Sequence, residues 1–151
     1  MSMSEENEAV VRRIFKEIWE DGDLDAVDEL VAEDYVMHDS SMPEEPQTGR
    51  EAFRRMAESG SGVVDGPMEV EQLISTDEYV VVRWRQTGTH VGKMGKVEPS
   101  NEEVTITGIE IARLEDGLLA ETWDEMNVLP LLSKSGAISA DLLSPEMAAD
   151  D

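Results

Sequence analysis

The feature that most limits how this chain can fold is the period-two alternation that begins after Gly66. Apolar and polar residues alternate in four runs, MEVEQLIST, EYVVVRWRQTGTH, EVTITGIEIARL and LLAETWDEMNVL. Because successive side chains of a strand point to opposite faces, such runs predict β-strands. The last two runs flank Glu115-Asp116-Gly117, and Asp-Gly between alternating runs is a strong β-hairpin signal. These runs predict an antiparallel sheet of at least four strands.

The first half of the chain carries helical periodicity instead. Residues 4 to 20 have apolar residues at about every fourth position, and Ser4 is the predicted N-cap. Asp23 is expected to cap a second, shorter helix, and REAFRRMAES predicts a third with Phe53 facing inward. About three helices followed by an antiparallel sheet define an α+β domain. A curved sheet folded around a helix has a concave interior, where pockets form.

The sequence is strongly acidic, with 35 aspartates and glutamates against 12 lysines and arginines and a formal charge of −23. High charge with low hydrophobicity is typical of disordered chains. Here, however, 40% of the residues are hydrophobic and fall in periodic runs, so we expect one folded domain in 151 residues. Acidic surfaces keep proteins hydrated in concentrated salt, and the scarcity of lysine favours the hypothesis of a salt-loving host.

The same charge argues against nucleic acid and membrane partners, which are themselves anionic. No apolar run approaches the roughly 20 residues of a membrane span, and MSMSEENEAV lacks the features of a signal peptide. The chain has no cysteine and only two histidines, which argues against disulfides, a thiolate nucleophile and a metal site. We therefore expect a cytoplasmic protein that binds no metal, nucleic acid or membrane.

Two carboxylates interrupt apolar rows on neighbouring predicted strands. Asp124 shares a face with Leu118, Ala120, Thr122, Met126 and Val128, and Glu110 interrupts a similar row on the preceding strand. If the turn occupies residues 115 to 117, Glu110 lies near Thr122 and Asp124 lies opposite Gly108. The two carboxylates are then diagonal neighbours on one face, within ~8 Å of each other.

Two carboxyl groups on an apolar concave face are suited to proton transfer. Desolvation and mutual repulsion both disfavour the charged forms, so at least one pKa is expected to rise. A carboxyl group titrating closer to neutrality can both donate and accept a proton. Two alternatives remain: either carboxylate pairs with an arginine, or this face of the sheet looks out to solvent.

Other candidate residues have structural and functional interpretations. Trp84, Gln86 and His90 share one face of the second alternating run, where Trp84 either floors a cavity for a flat ligand or fills the core. His38 follows an apolar patch that begins at Tyr35, and a lone histidine is more often structural than catalytic. Nothing in the pattern matches a phosphate-binding loop or a cofactor fingerprint.

Several segments, in this order and spacing, make the chain resemble a known family. They are GDLDAVDELVAEDYVMHD, TGREAFRRM, TGTHVG and IEIARLEDGLLAETWDEMN. The sequence resembles the SnoaL-like polyketide cyclases, or ester cyclases, of the nuclear transport factor 2-like superfamily. The resemblance covers roughly residues 5 to 135. It implies a cone-shaped curved antiparallel sheet around the N-terminal helix, and dimers or tetramers formed through the outer face of the sheet.

The resemblance also implies a chemistry and a site. It places Asp124 where these cyclases have the general acid/base of an aldol ring closure that uses no metal or organic cofactor. Glu110 stands where true cyclases often have a pocket histidine, and His38 matches a histidine of the wider group. Ketosteroid isomerase belongs to the same superfamily and offers an analogy, because an apolar site there tunes the pKa of its carboxyl groups.

These observations predict a SnoaL-like domain over residues 1–136 and a C-terminal tail or arm over residues 137–151. The predicted function is cofactor-free acid/base catalysis on a small apolar carbonyl compound, with Asp124, His38 and Glu110 as catalytic residues. The predicted substrate-binding residues are Trp84, Met126, Phe53, Tyr35, Gln86 and His90. The alternatives are a non-catalytic module that binds a small molecule or a partner, and a hydrolase or dehydratase on the same scaffold. A homodimer or homotetramer is expected.

Overall fold

The computed structural model describes residues 1–41 and 46–143. The helices are α1 (Met3–Arg13), which continues as a π-helical segment (Ile14–Glu20), α2 (Ala26–Leu30), α3 (Arg50–Gly60), α4 (Leu129–Lys134) and a final 3₁₀ turn (Ala140–Leu143). The strands are β1 (Val31–Asp39), β2 (Gln47–Thr48), β3 (Val64–Asp65), β4 (Met68–Ser75), β5 (Tyr79–His90), β6 (Glu103–Glu115) and β7 (Leu118–Asn127). Most of the predicted tail, from residue 144 onward, lies outside the described residues.

All seven strands form one curved, unclosed sheet. Its order is β2-β1-β7-β6-β5-β3, with β4 also paired to β5. Neighbouring strands are antiparallel except β1 and β7, which run parallel. The predicted α+β cone is confirmed, with the early strand β1 and the short strands β2 and β3 added to the four predicted runs. Within the described ranges, no helix is both long and apolar enough to cross a bilayer.

The first helix begins earlier than predicted. Ser2, rather than Ser4, is the N-cap: its hydroxyl accepts from the Glu5 backbone N–H, and the Glu5 carboxylate accepts from the Ser2 backbone N–H. This reciprocal capping box satisfies two backbone donors. Asp23 also differs from its prediction, because its carboxylate accepts from the Asp25 N–H in the turn before α2 and caps no helix.

The inner face of the sheet packs on the N-terminal helix. Ile14, Phe15 and Ile18 of the π-helical segment are buried against a core that includes Val80 and Val82 of β5. A second buried cluster lies towards the other end of the sheet and contains Val63, Val64, Val104, Ile106 and Leu131. The predicted inner rows of β5 and β6 face these two clusters. On β7 the prediction is wrong at one end, because Leu119 rather than Leu118 is buried in the core.

The β6–β7 hairpin has a two-residue turn and a bulge. Asp116 and Gly117 both have positive φ, 54° and 77°, as a type I′ turn requires. The register shifts between Arg113, which pairs with Glu121, and Leu114, which pairs with Leu119, so Ala120 is the extra residue.

This geometry corrects the predicted register. Glu110 pairs directly with Asp124, and Gly108 pairs with Met126. The predicted diagonal relation of the two carboxylates, with Glu110 near Thr122 and Asp124 opposite Gly108, is therefore wrong. It assumed a three-residue turn and a regular ladder, whereas the turn has two residues and the bulge adds one more to β7.

Candidate active site

Three carboxyl groups form a row across the inner face of the sheet. Glu110 of β6 pairs with Asp124 of β7, and Asp124 pairs in turn with Asp39 of β1. Val82 of β5 continues the row on the far side of Glu110. Directly opposite residues on neighbouring strands have Cβ atoms about 5 Å apart. We call Glu110 and Asp124 the carboxyl pair, and the three acids together the carboxyl row.

The carboxyl pair lies in an environment that opposes charge. Burial, the neighbouring charge of Asp124 and the hydrogen bond between the two carboxyl groups hold the pKa of Glu110 well above its ordinary value. Burial also raises the pKa of Asp124, while hydrogen bonds from Glu110 and Thr122 act in the opposite direction. The hydrogen bond raises one pKa and lowers the other, as expected when protonated Glu110 donates to an Asp124 carboxylate. Of the two carboxyl groups, Glu110 is therefore the one whose ionisation its surroundings oppose more strongly.

Asp124 is connected to the core by a short hydrogen-bonded chain. The Tyr35 hydroxyl and the Thr122 hydroxyl are 2.5 Å apart and buried, and Thr122 also hydrogen-bonds to Asp124. The Tyr35 ring packs edge-on against Phe53, with centroids 5.2 Å apart. Burial raises the pKa of Tyr35, so the phenol is neutral. These contacts place neutral hydroxyl groups, and no cation, on this side of Asp124.

The next row along the sheet is apolar. Trp84 of β5 pairs with Gly108 of β6, and Gly108 pairs with Met126 of β7. A Cβ added at Gly108 would lie 2.6 Å from two atoms of the Trp84 ring, so the indole lies directly across the glycine. Trp84 is partly buried and also contacts Phe15, with ring centroids 6.3 Å apart. The result is an aromatic surface two residues along the strands from the carboxyl pair.

An open groove of about 590 Å³ begins at this row. Gly108 and Met126 line one side of it, and the rest of its lining includes Arg83, Ile109 and Glu125 on the outer face of the sheet. Met126 is 48% exposed there. The groove reaches the apolar row and does not include the carboxyl pair.

His38 lies on the outer face, away from the carboxyl row. Its Nε2 is 2.7 Å from a Glu121 carboxylate oxygen, and its ring stacks on Trp123 at 5.2 Å with an interplanar angle of 9°. The physical reason is strand alternation: Tyr35 and Met37 are buried inward, so His38 between Met37 and Asp39 points outward. The predicted catalytic role for His38 beside Asp124 does not fit this placement.

The remaining predicted binding residues have structural partners. Phe53 is buried in the main core, and the Gln86 amide donates to the backbone oxygens of Val64 and Gly66 at 3.1 and 2.9 Å. His90 is fully buried, and its Nδ1 accepts from the Ser100 backbone N–H at 3.2 Å. Its Nε2 has no protein partner among the residues that the structure describes. Gln86 and His90 therefore brace the strand end and the following loop.

Sequence reasoning missed one member of the carboxyl row, Asp39, and the supporting role of Thr122. The signal for Asp39 was present, because Tyr35, Met37 and Asp39 occupy alternate positions of one run. The pairing of Asp39 with Asp124 could not be predicted from the sequence, because a parallel contact between distant strands leaves no local pattern. In the described part of the chain, no group of three or more histidine or acidic side chains is arranged to hold a metal ion.

Comparison with known proteins identifies the family and agrees with the fold. A family model described as SnoaL-like polyketide cyclase matches residues 9–134. A candidate SnoaL-like polyketide cyclase from Jannaschia sp. CCS1 is 22% identical, covers 91% of this chain and 96% of its own, and has a TM-score of 0.80. A candidate polyketide cyclase from Acidithiobacillus ferrooxidans is 18% identical over 91% of this chain and 99% of its own, with a TM-score of 0.78.

A third solved structure is named for a different activity. AclR, a candidate hydroxylase from Streptomyces galilaeus, is 25% identical over 96% of this chain and 87% of its own, with a TM-score of 0.76. No curated protein sequence matches the chain. The two cyclase-like structures share the fold at identities below 25%, and their names carry no activity over to this chain.

Proposed function

Because the chain belongs to the SnoaL-like polyketide cyclase family, with the family match spanning residues 9–134, we propose that it is a cofactor-free acid/base enzyme. The proposed reaction is an aldol-type cyclisation, or related lyase or isomerase chemistry, on a small apolar carbonyl compound. The observation that carries the proposal is the carboxyl pair, in which Glu110 and Asp124 stand directly opposite each other on the inner face. A carboxyl group whose pKa is raised by its site is suited to taking a proton from carbon and returning it.

In the proposed cycle, the Asp124 carboxylate removes a proton from the carbon next to a substrate carbonyl. The resulting enolate attacks a second carbonyl carbon of the same molecule and forms the new carbon–carbon bond. Asp124 then returns its proton to the alkoxide, so the product is an isomer of the substrate and no electrons are exchanged. Glu110 keeps its own proton throughout and donates a hydrogen bond to Asp124, which steadies the carboxylate when it is charged.

The surroundings favour a neutral substrate. Three acids form the carboxyl row, whereas Arg83 and Arg85 lie on the other face and pair with Glu71 and Glu69 there. A substrate carboxylate in that row would face repulsion, which is screened weakly because the carboxyl pair is largely buried. The neighbouring Trp84 and Met126 instead present apolar surface, which suits an uncharged, flat or hydrophobic molecule.

The test is a turnover screen with uncharged dicarbonyl compounds, followed by mass spectrometry and NMR of the products. Asp124→Asn should lower turnover by about 10²-fold or more, the ordinary contribution of a positioned acid or base. Asp34→Asn, which changes the same charge at an exposed position of β1, serves as the matched control. An Asp124→Asn protein that is folded and fully active would exclude the proposal.

Two other outcomes of the screen would favour a different function for the protein. A ligand that binds with measurable affinity and is recovered unchanged from wild type would favour a non-catalytic binding module, for which the open groove offers the space. A product that has gained or lost water would favour hydrolase or dehydratase chemistry at the same carboxyl pair.

We also propose that the protein forms a homodimer or homotetramer through the outer face of the sheet. Its centre carries an outer-face patch of four large apolar side chains, Tyr79, Ile109, Ile111 and Trp123, each between 36% and 50% exposed. Contiguous apolar residues on so acidic a surface are typical of an interface. Ile109→Lys should reduce the sedimentation coefficient to that of a monomer, and an unchanged coefficient would exclude this face.

A further inference from the structure

Asp39 occupies a specific position in the sheet. It is the last residue of β1, and the parallel ladder pairs it with Asp124 on the side opposite Glu110. Asp124 is thus flanked on both sides by carboxyl groups from different strands. Neighbouring strands lie about 4.8 Å apart, so the two aspartates are close enough for their charges to interact strongly.

The Asp39 side chain is held in place by local hydrogen bonds. One carboxylate oxygen accepts from the Ser41 backbone N–H at 2.9 Å and from the Ser41 hydroxyl at 2.6 Å. This is an Asx turn, which stops β1 and orients the carboxylate. Beside it, the Ser40 hydroxyl donates to the Glu125 carboxylate, so the turn is anchored to β7 as well.

We propose that Asp39 is a positioning residue whose oriented negative charge sets the pH range in which Asp124 transfers protons. The inference deepens the proposed function and rests on it, because it assigns Asp39 no contact with the reacting atoms. The negative charge of Asp39 opposes the loss of the proton from Asp124. A base held nearer to neutrality is the one best matched to proton transfer at physiological pH.

The groups that face Asp124 from each packed element are consistent with this role. Burial is the main cause of the raised pKa of Asp124. The charges of Asp39 and of the neighbouring Glu125 raise this pKa further, and Asp39 has the larger effect of the two. Glu110 from β6 lowers the pKa of Asp124 by donating a hydrogen bond. Tyr35 of β1 is neutral, and the charge of Asp39 contributes to its raised pKa as well.

The experiment is a carbon-13 NMR titration of aspartate-labelled protein, with the Asp124 carboxyl signal identified by its loss in Asp124→Asn. Asp39→Asn keeps an oxygen that can accept from Ser41 and removes only the charge. The Asp124 titration should move to lower pH in this variant. Asp34→Asn, at an exposed position of the same strand, should leave the titration where it is in wild type.

Asp39→Ser provides a second variant, because serine also supports this type of turn, and it should cause the same acid shift. An Asp124 titration that is unchanged in both folded variants would overturn the inference, even if stability falls. Once a substrate is known, the acid limb of the pH–rate profile should move with the titration. If the titration moves while Asp124→Asn remains fully active, the charge coupling stands and the proposed function fails.

Discussion

Glu110 and Asp124 stand directly opposite each other on antiparallel strands, and a hydrogen bond links their carboxyl groups. The pairing follows from two details of the β6–β7 hairpin, its Asp116-Gly117 turn and the bulge at Ala120. Burial raises the pKa of both groups, and their hydrogen bond raises that of Glu110 further. An acid and a base in contact on a concave apolar face is the arrangement from which the proposed chemistry follows.

The first prediction concerns the cost of burying Glu110. Because its pKa is raised on folding, the native state binds more protons than the unfolded chain once the pH exceeds the ordinary glutamate value. The free energy of unfolding therefore falls as the pH rises through that range. Glu110→Gln removes this penalty, and we expect a gain on the order of 1 kcal/mol at neutral to slightly alkaline pH.

The check is urea unfolding of wild type and Glu110→Gln at about pH 4 and about pH 7.5, at one ionic strength. The two proteins should have similar free energies of unfolding at the acidic pH, where residue 110 is largely neutral whether it is glutamic acid or glutamine. The gain of Glu110→Gln over wild type should appear at the higher pH. Taking the difference removes the opposite trend from carboxylates with lowered pKa, such as Glu17 and Glu29. Glu103→Gln, an exposed change on the same strand, is the control, and an equal gain there would refute the assignment.

A second prediction concerns the buried hydroxyl contact that supports Asp124. Tyr35→Phe keeps the ring contact with Phe53 and removes the 2.5 Å hydrogen bond to Thr122. The loss should cost about 1 kcal/mol of stability. In a double-mutant cycle with Thr122→Val, the two changes should be non-additive, because they remove the same bond. Strictly additive unfolding energies would mean that the two hydroxyls do not interact in solution.

A third prediction concerns the glycine under Trp84. Gly108→Ala places a methyl group 2.6 Å from the indole ring, so the ring must move or the strands must part. Overpacking of this kind costs about 1–3 kcal/mol. We expect a lower unfolding midpoint and a shifted tryptophan emission maximum. Gly62→Ala is the matched control, since nothing lies within 4 Å of the added carbon there. Equal effects at both positions would contradict the packing of Trp84 across Gly108.

A fourth prediction concerns ligand charge. An uncharged methyl ester should bind more tightly than the corresponding carboxylate, because the carboxylate must approach the carboxyl row. Asp39→Asn should narrow the gap between the two affinities by improving the binding of the acid, while the affinity for the ester stays the same. Calorimetric titration of a matched ester and acid provides the measurement. A tighter-binding acid would show that the ligand lies away from the row.

Local sequence patterns predicted the helices and strands, whereas the pairing of distant strands determines which carboxyl groups lie side by side. The alternation on β5 to β7 and the Asp-Gly turn identified three strands and their inner faces, since both signals reside within a few residues. The bulge at Ala120 changed the register, and no sequence signal marked it. Alternation from Tyr35 was sufficient to place His38 outward and Asp39 inward, but the family resemblance favoured His38 as the catalytic residue. The parallel β1–β7 contact that brings Asp39 to Asp124 needed the structure itself.

The coupling within the carboxyl pair is tested by titrating Glu110 in the native wild-type protein by carbon-13 NMR, with the signal assigned through Glu110→Gln. We predict that the Glu110 carboxyl remains protonated well above the ordinary glutamate range, and that Asp124→Asn changes this titration because the charge and the hydrogen bond of Asp124 both act on Glu110. A Glu110 signal that titrates at the ordinary value, and that does not change in Asp124→Asn, would contradict the coupling of the carboxyl pair and with it the proposed acid/base site.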